Sequence, residues 1–346
     1  DFIYEFGMGV FGDENAEALN RVVKPSYELN SLKDYRQRYA QHKSDSDSQA
    51  MLARHPLISI WDDHEISNDA WKLGSENHST DGSEGTFDNR KKNAIKAYFE
   101  WMPIREPGTQ NALIHRSFQI GDLVDLHMLD TRLIGRDQQV SYSNYTGLKT
   151  KQKPVHILNK SPNQFDTKQF NHDLLKPNRS ILGVDQEMWL ESRLKKTNAM
   201  WTILGQQVML APQRWSVTKD LIERESSESS QELNMVMQKE TIKPELTKNL
   251  DAWDGYPAAR SRLYKTIAEH KKKLITLSGD THFSSAHNLV DESGQLIGAE
   301  FGTTSVTSPS FWDNVKINKI ELEKRQLDFN EDMQFLHLRN RGYLVV

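Results

Sequence analysis

The chain has 346 residues, enough to bury a full hydrophobic core in one large domain or two modest ones. Its formal net charge of −4 argues against nucleic acid or an anionic membrane as the main partner, because those partners select strongly basic surfaces. The sequence contains no cysteine, so disulfides and thiolate metal sites are excluded, and a metal ion must be held by Asp, Glu, His, Asn or Tyr. No apolar run reaches the length of about 18 residues that a transmembrane helix needs.

The N-terminal part of the sequence predicts two buried strands and two helices. Asp1–Tyr4 reads like the tail of a buried strand, and we expect the natural N-terminus to lie upstream of it. Apolar residues from Leu57 to Trp61 predict a second short strand. A period of about 3.6 residues predicts helices from Ser31 to His42 and from Asn89 to Trp101.

Two long polar stretches interrupt the pattern further along. Leu113–Ile120 and Leu123–Leu129 predict a strand pair that turns at Gly121 and Asp122. Residues from about 133 to 181 are too polar and too numerous for a plain connection, so we expect an ordered insertion there. A second polar insertion is predicted from about 217 to 250.

Strands and helices alternate through the C-terminal half, which predicts a mixed α/β layered fold. The sequence predicts helices at Asp185–Lys195 and Pro257–Lys273, and strands at Met200–Leu204, Leu274–Ser278, Ala286–Val290, Leu296–Phe301 and within Gln334–Val346.

The predicted strand at Leu57–Trp61 leads into four consecutive ionisable residues, Asp62, Asp63, His64 and Glu65. Burying several carboxylates together is costly unless a cation compensates them, so this block is a candidate metal site, and Asn68 adds an amide oxygen. The alternative is a solvated acidic loop, or a helix start at which Asp62 is the N-cap and Glu65 completes a capping box. The sequence leaves both interpretations open.

A second candidate site follows the strand Leu274–Ser278, where Asp280 and His282 come directly after Gly279. Carboxylate and imidazole at a strand end suit a catalytic metal ion, because open α/β sheets build their sites at the carboxyl ends of strands. The alternative is that Asp280 caps a turn and His282 is a surface histidine.

Further candidates also stand at strand ends. Tyr4 is a ligand candidate beside Asp1 and is otherwise an ordinary core aromatic residue. Arg132 suits recognition of a phosphate, whereas its alternative role is an ion pair with Asp130 or on the surface. Residues 206 and 207 are glutamines that follow a predicted strand and are candidates for the rim of the same site.

Taken together, these segments resemble the alkaline phosphatase D (PhoD-like) family of the metallophosphatase superfamily. The acidic block and the Gly-Asp-x-His block are specific in combination, although the second alone is not. The matching segments, in chain order, are Asp1–Glu5, Trp61–Asp69, Leu129–Arg132, Trp201–Gln207, Asp251–Pro257, Ser278–His282 and Arg341–Tyr343.

The resemblance implies a metallophosphatase-like α/β fold, a four-layer α/β/β/α sandwich of two mixed sheets, extending over residues 1–346. It implies hydrolysis of phosphate monoesters and diesters at ferric iron and calcium, with other divalent metals as alternatives. It also implies a monomer that is periplasmic or secreted. The family's first metal motif and its iron-binding cysteine lie upstream of the segment that matches Asp1, so we expect a chain that lacks its first strand or strands.

The same resemblance assigns roles to individual residues. Asp1 would bridge two metals, Tyr4 would bind iron, and Asp62 or Asp63 with Asn68 would serve calcium. Asp280 and His282 would complete the metal ligands. Arg132 would hold the phosphate, and His64 would protonate the leaving group.

Two rival functions share these residues. The first is a non-catalytic module of the same fold that binds structural calcium or a partner. The second is a nuclease, which uses the same chemistry but is less favoured because the charge near these motifs is not strongly positive.

Overall fold

The computed structural model describes residues 1–105, 113–145, 165–215, 249–313 and 317–346. The chain forms two compact units. The N-terminal unit comprises Asp1–Arg116 and Met128–Gln138, and the C-terminal unit comprises Ser117–His127 and Gln139–Val346. Within the described residues, no helix has both the length and the apolar character required to span a bilayer.

The described helices are α1 (Leu32–Lys43), α2 (Ser46–Arg54), α3 (Phe87–Trp101), α4 (Thr167–Leu174), α5 (Val184–Lys196), α6 (Pro257–Glu269) and α7 (Lys319–Phe329). The described strands are β1 (Arg116–Ile120), β2 (Val124–Met128), β3 (Trp201–Gly205), β4 (Leu274–Ser278), β5 (Ser284–Val290), β6 (Leu296–Gly302) and β7 (Met333–His337).

The core of the N-terminal unit is aromatic and lies between α1 and α3. Helix α1 starts at a complete capping box, in which the Ser31 hydroxyl accepts from the Asp34 backbone and the Asp34 carboxylate accepts from the Ser31 backbone. Its inward face buries Tyr39, which meets Tyr98 of α3 edge to face, and Tyr98 in turn packs against Trp61. This packing fixes the residue that immediately precedes the acidic block.

Among the described residues, the sheet has seven strands in the order β1-β2-β3-β4-β6-β5-β7. Strand β4 runs parallel to both β3 and β6, whereas β5 runs antiparallel to β6 and β7, so the sheet is mixed. Because β3, β4 and β6 are parallel, their carboxyl ends lie along one edge. Gln206, Gly279 and Thr303 therefore follow neighbouring strand ends.

The predicted mixed α/β class is confirmed by this sheet, and the four-layer arrangement with a second sheet stays a prediction. Most predicted elements are present with ends moved by a few residues. The predicted helix Pro257–Lys273 ends at Glu269, and Lys271 takes a left-handed backbone conformation with φ of 51°. Helices α2, α4 and α7 were not predicted from the sequence.

Three predicted strands need correction. Leu57–Trp61 is not in a strand; Leu57, Ile60 and Trp61 pack in the core, and the Ser59 carbonyl accepts a hydrogen bond from the Arg116 side chain. Asp1–Tyr4 is not in a strand either, because the N–H groups of Phe2 and Ile3 donate to the Glu65 carboxylate. At the C-terminal end, the strand stops at His337.

The two predicted insertions are described to different extents. The first contains α4 and an aromatic cluster in which Phe170 stacks on Tyr142. The second, predicted from about 217 to 250, lies outside the described residues except for Asn249 and Leu250. The boundaries of both insertions stay a prediction.

Candidate metal centre

The acidic block of the N-terminal unit forms a tight turn in which one carboxylate has a structural role. The N–H groups of Ile66 and Ser67 both donate to the Asp63 carbonyl at 2.7 Å. The buried Glu65 carboxylate accepts from the Asp62 backbone at 2.6 Å, which is half of a capping box, and from Phe2 at 2.5 Å. The Glu65 contact that the capping alternative predicts is therefore present, but no helix follows and the Asp62 side chain accepts from the Asp63 backbone instead. Glu65 joins the first residues of the chain to the acidic block.

His64 is held by a second buried carboxylate. Its Nδ1 lies 2.6 Å from Glu5 Oε2, and the other Glu5 oxygen accepts from the Asn68 backbone at 2.6 Å. Burial lowers the pKa of His64, but the charges of Asp63 and Glu5 outweigh it and raise that pKa to about 9. With Nδ1 committed to Glu5, Nε2 is the ring atom that His64 can offer elsewhere.

Asp1, Asp63 and His64 form a group in this unit that could hold a metal ion. Each offers one ligand atom, and these atoms all lie within 4.8 Å of one another. Asp63 and His64 are buried and Asp1 is exposed, so the group has a dry side and an open side. Two carboxylates and an imidazole suit iron, manganese or zinc, so the residues present fit a transition-metal ion.

Arg132 lies beside the same carboxylates. Its fully buried side chain places Nε 2.5 Å from Asp62 Oδ1 and Nη2 3.2 Å from Asp63 Oδ1. The Asp130 carboxylate instead accepts from the backbone N–H groups of Arg132 at 2.8 Å and Leu133 at 3.0 Å. The ion pair suggested by the sequence is thus real, but its acidic partners are Asp62 and Asp63.

Tyr4 and Asn68 also lie beside His64 or Glu5 in this unit. The Tyr4 ring is 4.3 Å from the His64 ring, centroid to centroid. The Asn68 Nδ2 donates to Glu76 at 2.9 Å, so its Oδ1 is the amide atom suited to a cation. All the N-terminal candidates, Asp1, Tyr4, Asp62, Asp63, His64, Asn68 and Arg132, therefore belong to one unit.

Asp280 and His282 belong to the C-terminal unit, where they follow β4 in an unusual backbone conformation. Their φ angles are 66° and 58°, both in the left-handed region that few non-glycine residues adopt. The His282 Nδ1 lies 2.6 Å from the Pro309 carbonyl, which only accepts, so in the neutral ring Nδ1 carries the proton and Nε2 carries the lone pair a metal needs. The His282 side chain is thus oriented as a ligand would be, unlike a freely solvated surface histidine.

Sequence reasoning missed the carboxylates that hold these candidates. Glu5 and Asp130 lie within the segments that carry the family resemblance, but a buried carboxylate that accepts backbone N–H groups has no sequence pattern of its own. Glu300 is a charged residue inside the apolar strand β6 and is fully buried. An acid in an otherwise apolar strand was the signal that would have identified Glu300.

Residues 1–346 match the profile of the family described as PhoD-like phosphatase. The chain belongs to the PhoD-like phosphatase family. It is 32% identical over 317 residues to a protein of Bacillus subtilis (strain 168) named alkaline phosphatase D.

A solved structure supports the same relationship for this PhoD-like chain. The structure titled "Structure of PhoD" matches it with a TM-score of 0.68 and 28% identity, covering 99% of this chain. The alignments cover 89% of this chain and 45% of the Bacillus protein, and 56% of the chain in the solved structure. The chain thus spans about half the length of these relatives.

Proposed function

We propose that the protein is a metal-dependent phosphatase that hydrolyses phosphate monoesters and diesters. The observation that carries this proposal is the close grouping of Asp1, Asp63 and His64, with Arg132 next to Asp63. Membership of the PhoD-like phosphatase family supports the same chemistry. Small phosphate esters are the proposed substrates.

The proposed metals are ferric iron and calcium, with other divalent ions as alternatives. Asp1, Tyr4 and His64 offer carboxylate, phenolate and imidazole donors, a set that suits iron better than calcium. Calcium prefers oxygen ligands, which Asp62, Asp63 and Asn68 supply. By the family resemblance, Asp280 and His282 are further metal ligands. His64 is thus a candidate both for metal binding and for proton transfer.

When bound, the metal ions would polarise the phosphoryl oxygen and lower the pKa of the attacking water. The guanidinium of Arg132 would neutralise charge on the phosphoryl oxygens, for which its planar fork is well suited. In the metal-free protein the charges of Asp63 and Glu5 raise the pKa of His64 to about 9, which favours a ring that carries a proton on Nε2. It would donate that proton to the leaving oxygen, with Glu5 fixing its ring.

The remaining proposals rest on the family resemblance alone. They are a second sheet that completes a four-layer sandwich, a monomeric state and a periplasmic or secreted location. The alternative function is a non-catalytic module of the same fold that binds structural calcium or a partner.

The test uses the full-length protein and bis(p-nitrophenyl) phosphate. We expect Asp63→Asn and Asp280→Asn each to lower kcat/KM by about 100-fold or more, because losing a metal ligand removes several kcal/mol of charge stabilisation. Asp291→Asn is the control, since Asp291 is a partly exposed turn residue that accepts from Ser293 and Gln295. Calcium binding by a protein without turnover would favour the non-catalytic module and contradict the phosphatase.

A further inference from the structure

Glu300 is a fully buried carboxylate in β6 that no role proposed above uses. One of its oxygens accepts from the Leu210 backbone at 2.7 Å and from the Ser278 hydroxyl at 2.5 Å. The other accepts from the Ala211 backbone at 2.6 Å. All these partners belong to the C-terminal unit, and they come from two different chain segments.

Burying this carboxylate costs free energy, because its charged form loses hydration. The nearby Arg260 is committed to Asp254, with 2.5 Å between Nη1 and Oδ1, and within the described ranges Glu300 has no ion pair of its own. Burial raises the pKa of Glu300 to about 7, although its hydrogen bonds to Leu210 and Ser278 act in the opposite direction. An apolar residue at this position would leave the N–H groups of Leu210 and Ala211 without an acceptor, so the value of the carboxylate lies in the hydrogen bonds that it accepts.

The two segments that Glu300 joins are the exits of β3 and β4. Ser278 is the last residue of β4 and is followed by Gly279 and Asp280. The chain leaving β3 runs through Gln207, whose carbonyl accepts from Gly279 at 2.8 Å, to Leu210. Glu300 is therefore hydrogen-bonded to both segments, close to the hydrogen bond that joins Gly279 to Gln207.

The turn that leaves β4 needs such support. Asp280 and His282 both have positive φ angles, and residues in this region keep their conformation only when the surroundings hold them there. On its far side the turn is held by Thr304, whose hydroxyl donates to the His282 carbonyl at 3.0 Å. On the side of β4, the hydrogen bond between Ser278 and Glu300 performs the same task.

We propose that Glu300 is a positioning residue, which holds the exits of β3 and β4 together through Ser278 and the backbone of residues 210 and 211 so that Asp280 and His282 keep the geometry of metal ligands. This inference rests on the proposed role of Asp280 and His282 as ligands. Residues that orient metal ligands typically change metal affinity or activity by about 10- to 100-fold when they are replaced.

The main test is Glu300→Gln in the full-length protein. An amide keeps the size of the side chain but turns an NH2 group toward groups that themselves donate. We expect the affinity of the metal-stripped protein for Mn²⁺, followed by electron paramagnetic resonance, to fall by about 10- to 100-fold. The kcat for bis(p-nitrophenyl) phosphate should fall by a similar factor while KM changes by less than about threefold.

A matched control separates positioning from general loss of stability. Glu323 is also buried and accepts from the Leu338 backbone at 2.7 Å, but it lies in α7. Glu323→Gln should lower the melting temperature while leaving Mn²⁺ affinity and kcat unchanged. Ser278→Ala is the milder second variant, and it should reproduce part of the loss of Mn²⁺ affinity and kcat. Adding Ser278→Ala to Glu300→Gln should lower these two quantities little further.

Hydrogen exchange gives a readout that does not depend on the metal. In the metal-stripped Glu300→Gln protein, the amides of residues 279–284 should exchange faster than in the wild type, whereas Glu323→Gln should leave them unchanged. The inference is overturned if Glu300→Gln affects only the melting temperature, as Glu323→Gln does. If the wild type neither binds Mn²⁺ nor turns over, the proposed function fails, while exchange still decides whether Glu300 holds the turn.

Discussion

Buried acids in this chain have two distinct tasks. Asp63 is grouped with other metal-ligand candidates, whereas Glu65 and Asp130 accept backbone N–H groups and so fix the segments that carry those candidates. A buried carboxylate satisfied by N–H groups rigidifies the backbone around it, and this rigidity is what a metal centre requires. Glu65 and Asp130 therefore support the backbone segments in which Asp63 and the other ligand candidates lie.

Asp130 shows how much one such acid holds in place. Its Oδ1 accepts from the Trp61 indole at 3.2 Å and from the Arg132 backbone at 2.8 Å, and its Oδ2 accepts from Ile134 at 3.2 Å. Asp130→Asn keeps one acceptor oxygen but turns an NH2 group toward a donor. We expect the free energy of unfolding of the metal-free protein, measured in urea, to fall by about 1–3 kcal/mol.

Asp137→Asn is the control for that variant. Asp137 pairs with Lys72 at 2.5 Å, but their side chains are 29% and 39% exposed. Pairs of this kind contribute about 0–1 kcal/mol, so the loss should be smaller than for Asp130→Asn. Equal losses for the two variants would show that the hydrogen bonds of Asp130 do not stabilise the turn.

The acidic block could be located from the sequence. The sequence did not show that Asp62 and Asp63 are ligand candidates whereas Glu65 fixes the backbone. Asp62, Asp63 and Glu65 stand in one run of four ionisable residues, and their side chains have the same chemistry. What distinguishes Glu65 is that it accepts the N–H group of Phe2, a residue 63 positions away. Long-range hydrogen bonds of this kind depend on the fold and leave no local pattern.

At the scale of elements, the strands of the C-terminal unit bury titratable residues side by side. His287 of β5 and Glu300 of β6 are register partners. Burial lowers the pKa of His287 to about 4, with Asp254 acting against it, and burial raises the pKa of Glu300 to about 7. Both shifts favour the uncharged form, so the strand pair is adapted to a dry interior.

His287 makes stability depend on pH with a definite sign. The ordinary pKa of histidine is about 6.5, so between pH 6.5 and 4 the unfolded chain binds a proton that folded His287 does not. Its contribution is present above pH 6.5 and is lost as the pH falls. Glu300 acts in the opposite direction, because its stabilising contribution is present at low pH and is lost as the pH rises through about 7.

We therefore expect His287→Gln to flatten the acid side of the stability curve. Between pH 7.5 and pH 5, wild-type protein should lose about 2 kcal/mol more of its free energy of unfolding than the variant does. The measurement is urea unfolding in the presence of a chelator, so that metal binding does not contribute. His172→Gln, at an exposed site on α4, should keep the wild-type pH dependence, and a wild-type slope in His287→Gln would contradict the assignment.

The elements themselves divide into those that sequence predicts and those that it does not. Strands β3 and β4 were predicted within one residue, because each is apolar and the chain breaks the pattern on both sides. Leu57–Trp61 is equally apolar, yet it forms no strand. Apolar character predicts burial, whereas a strand also needs a hydrogen-bonded neighbour, which only the tertiary fold supplies.

At the scale of the whole molecule, both units contain candidate ligands. The N-terminal unit holds the acidic block, and the C-terminal unit holds Asp280 and His282. The order of these motifs along the chain, together with their residue types, was sufficient to predict the family. The identity of the metals was not predictable at that level, because carboxylate and imidazole donors serve several ions.

Removing and restoring the metal tests whether the protein binds metal ions through these candidate ligands. A ligand that binds only the folded protein stabilises it by about 2.7 kcal/mol at a free concentration 100 times its dissociation constant. We expect Mn²⁺ to raise the melting temperature of metal-stripped full-length protein in a concentration-dependent way and a chelator to reverse the rise. Asp63→Asn should remove most of this increment, because it withdraws a candidate ligand.

The rise in melting temperature caused by Mn²⁺ decides the outcome, and not the melting temperature itself, because Asp63→Asn also changes the stability of the metal-free protein. The Asp63 carboxylate accepts from the Asp69 backbone at 2.7 Å and pairs with Arg132, so some loss of stability is expected without metal. Asp81→Asn is the matched control, since Asp81 is an exposed acid whose carboxylate accepts from Ser79 and Ser83. A full Mn²⁺ increment in Asp63→Asn, equal to that of Asp81→Asn, would remove Asp63 from the metal centre.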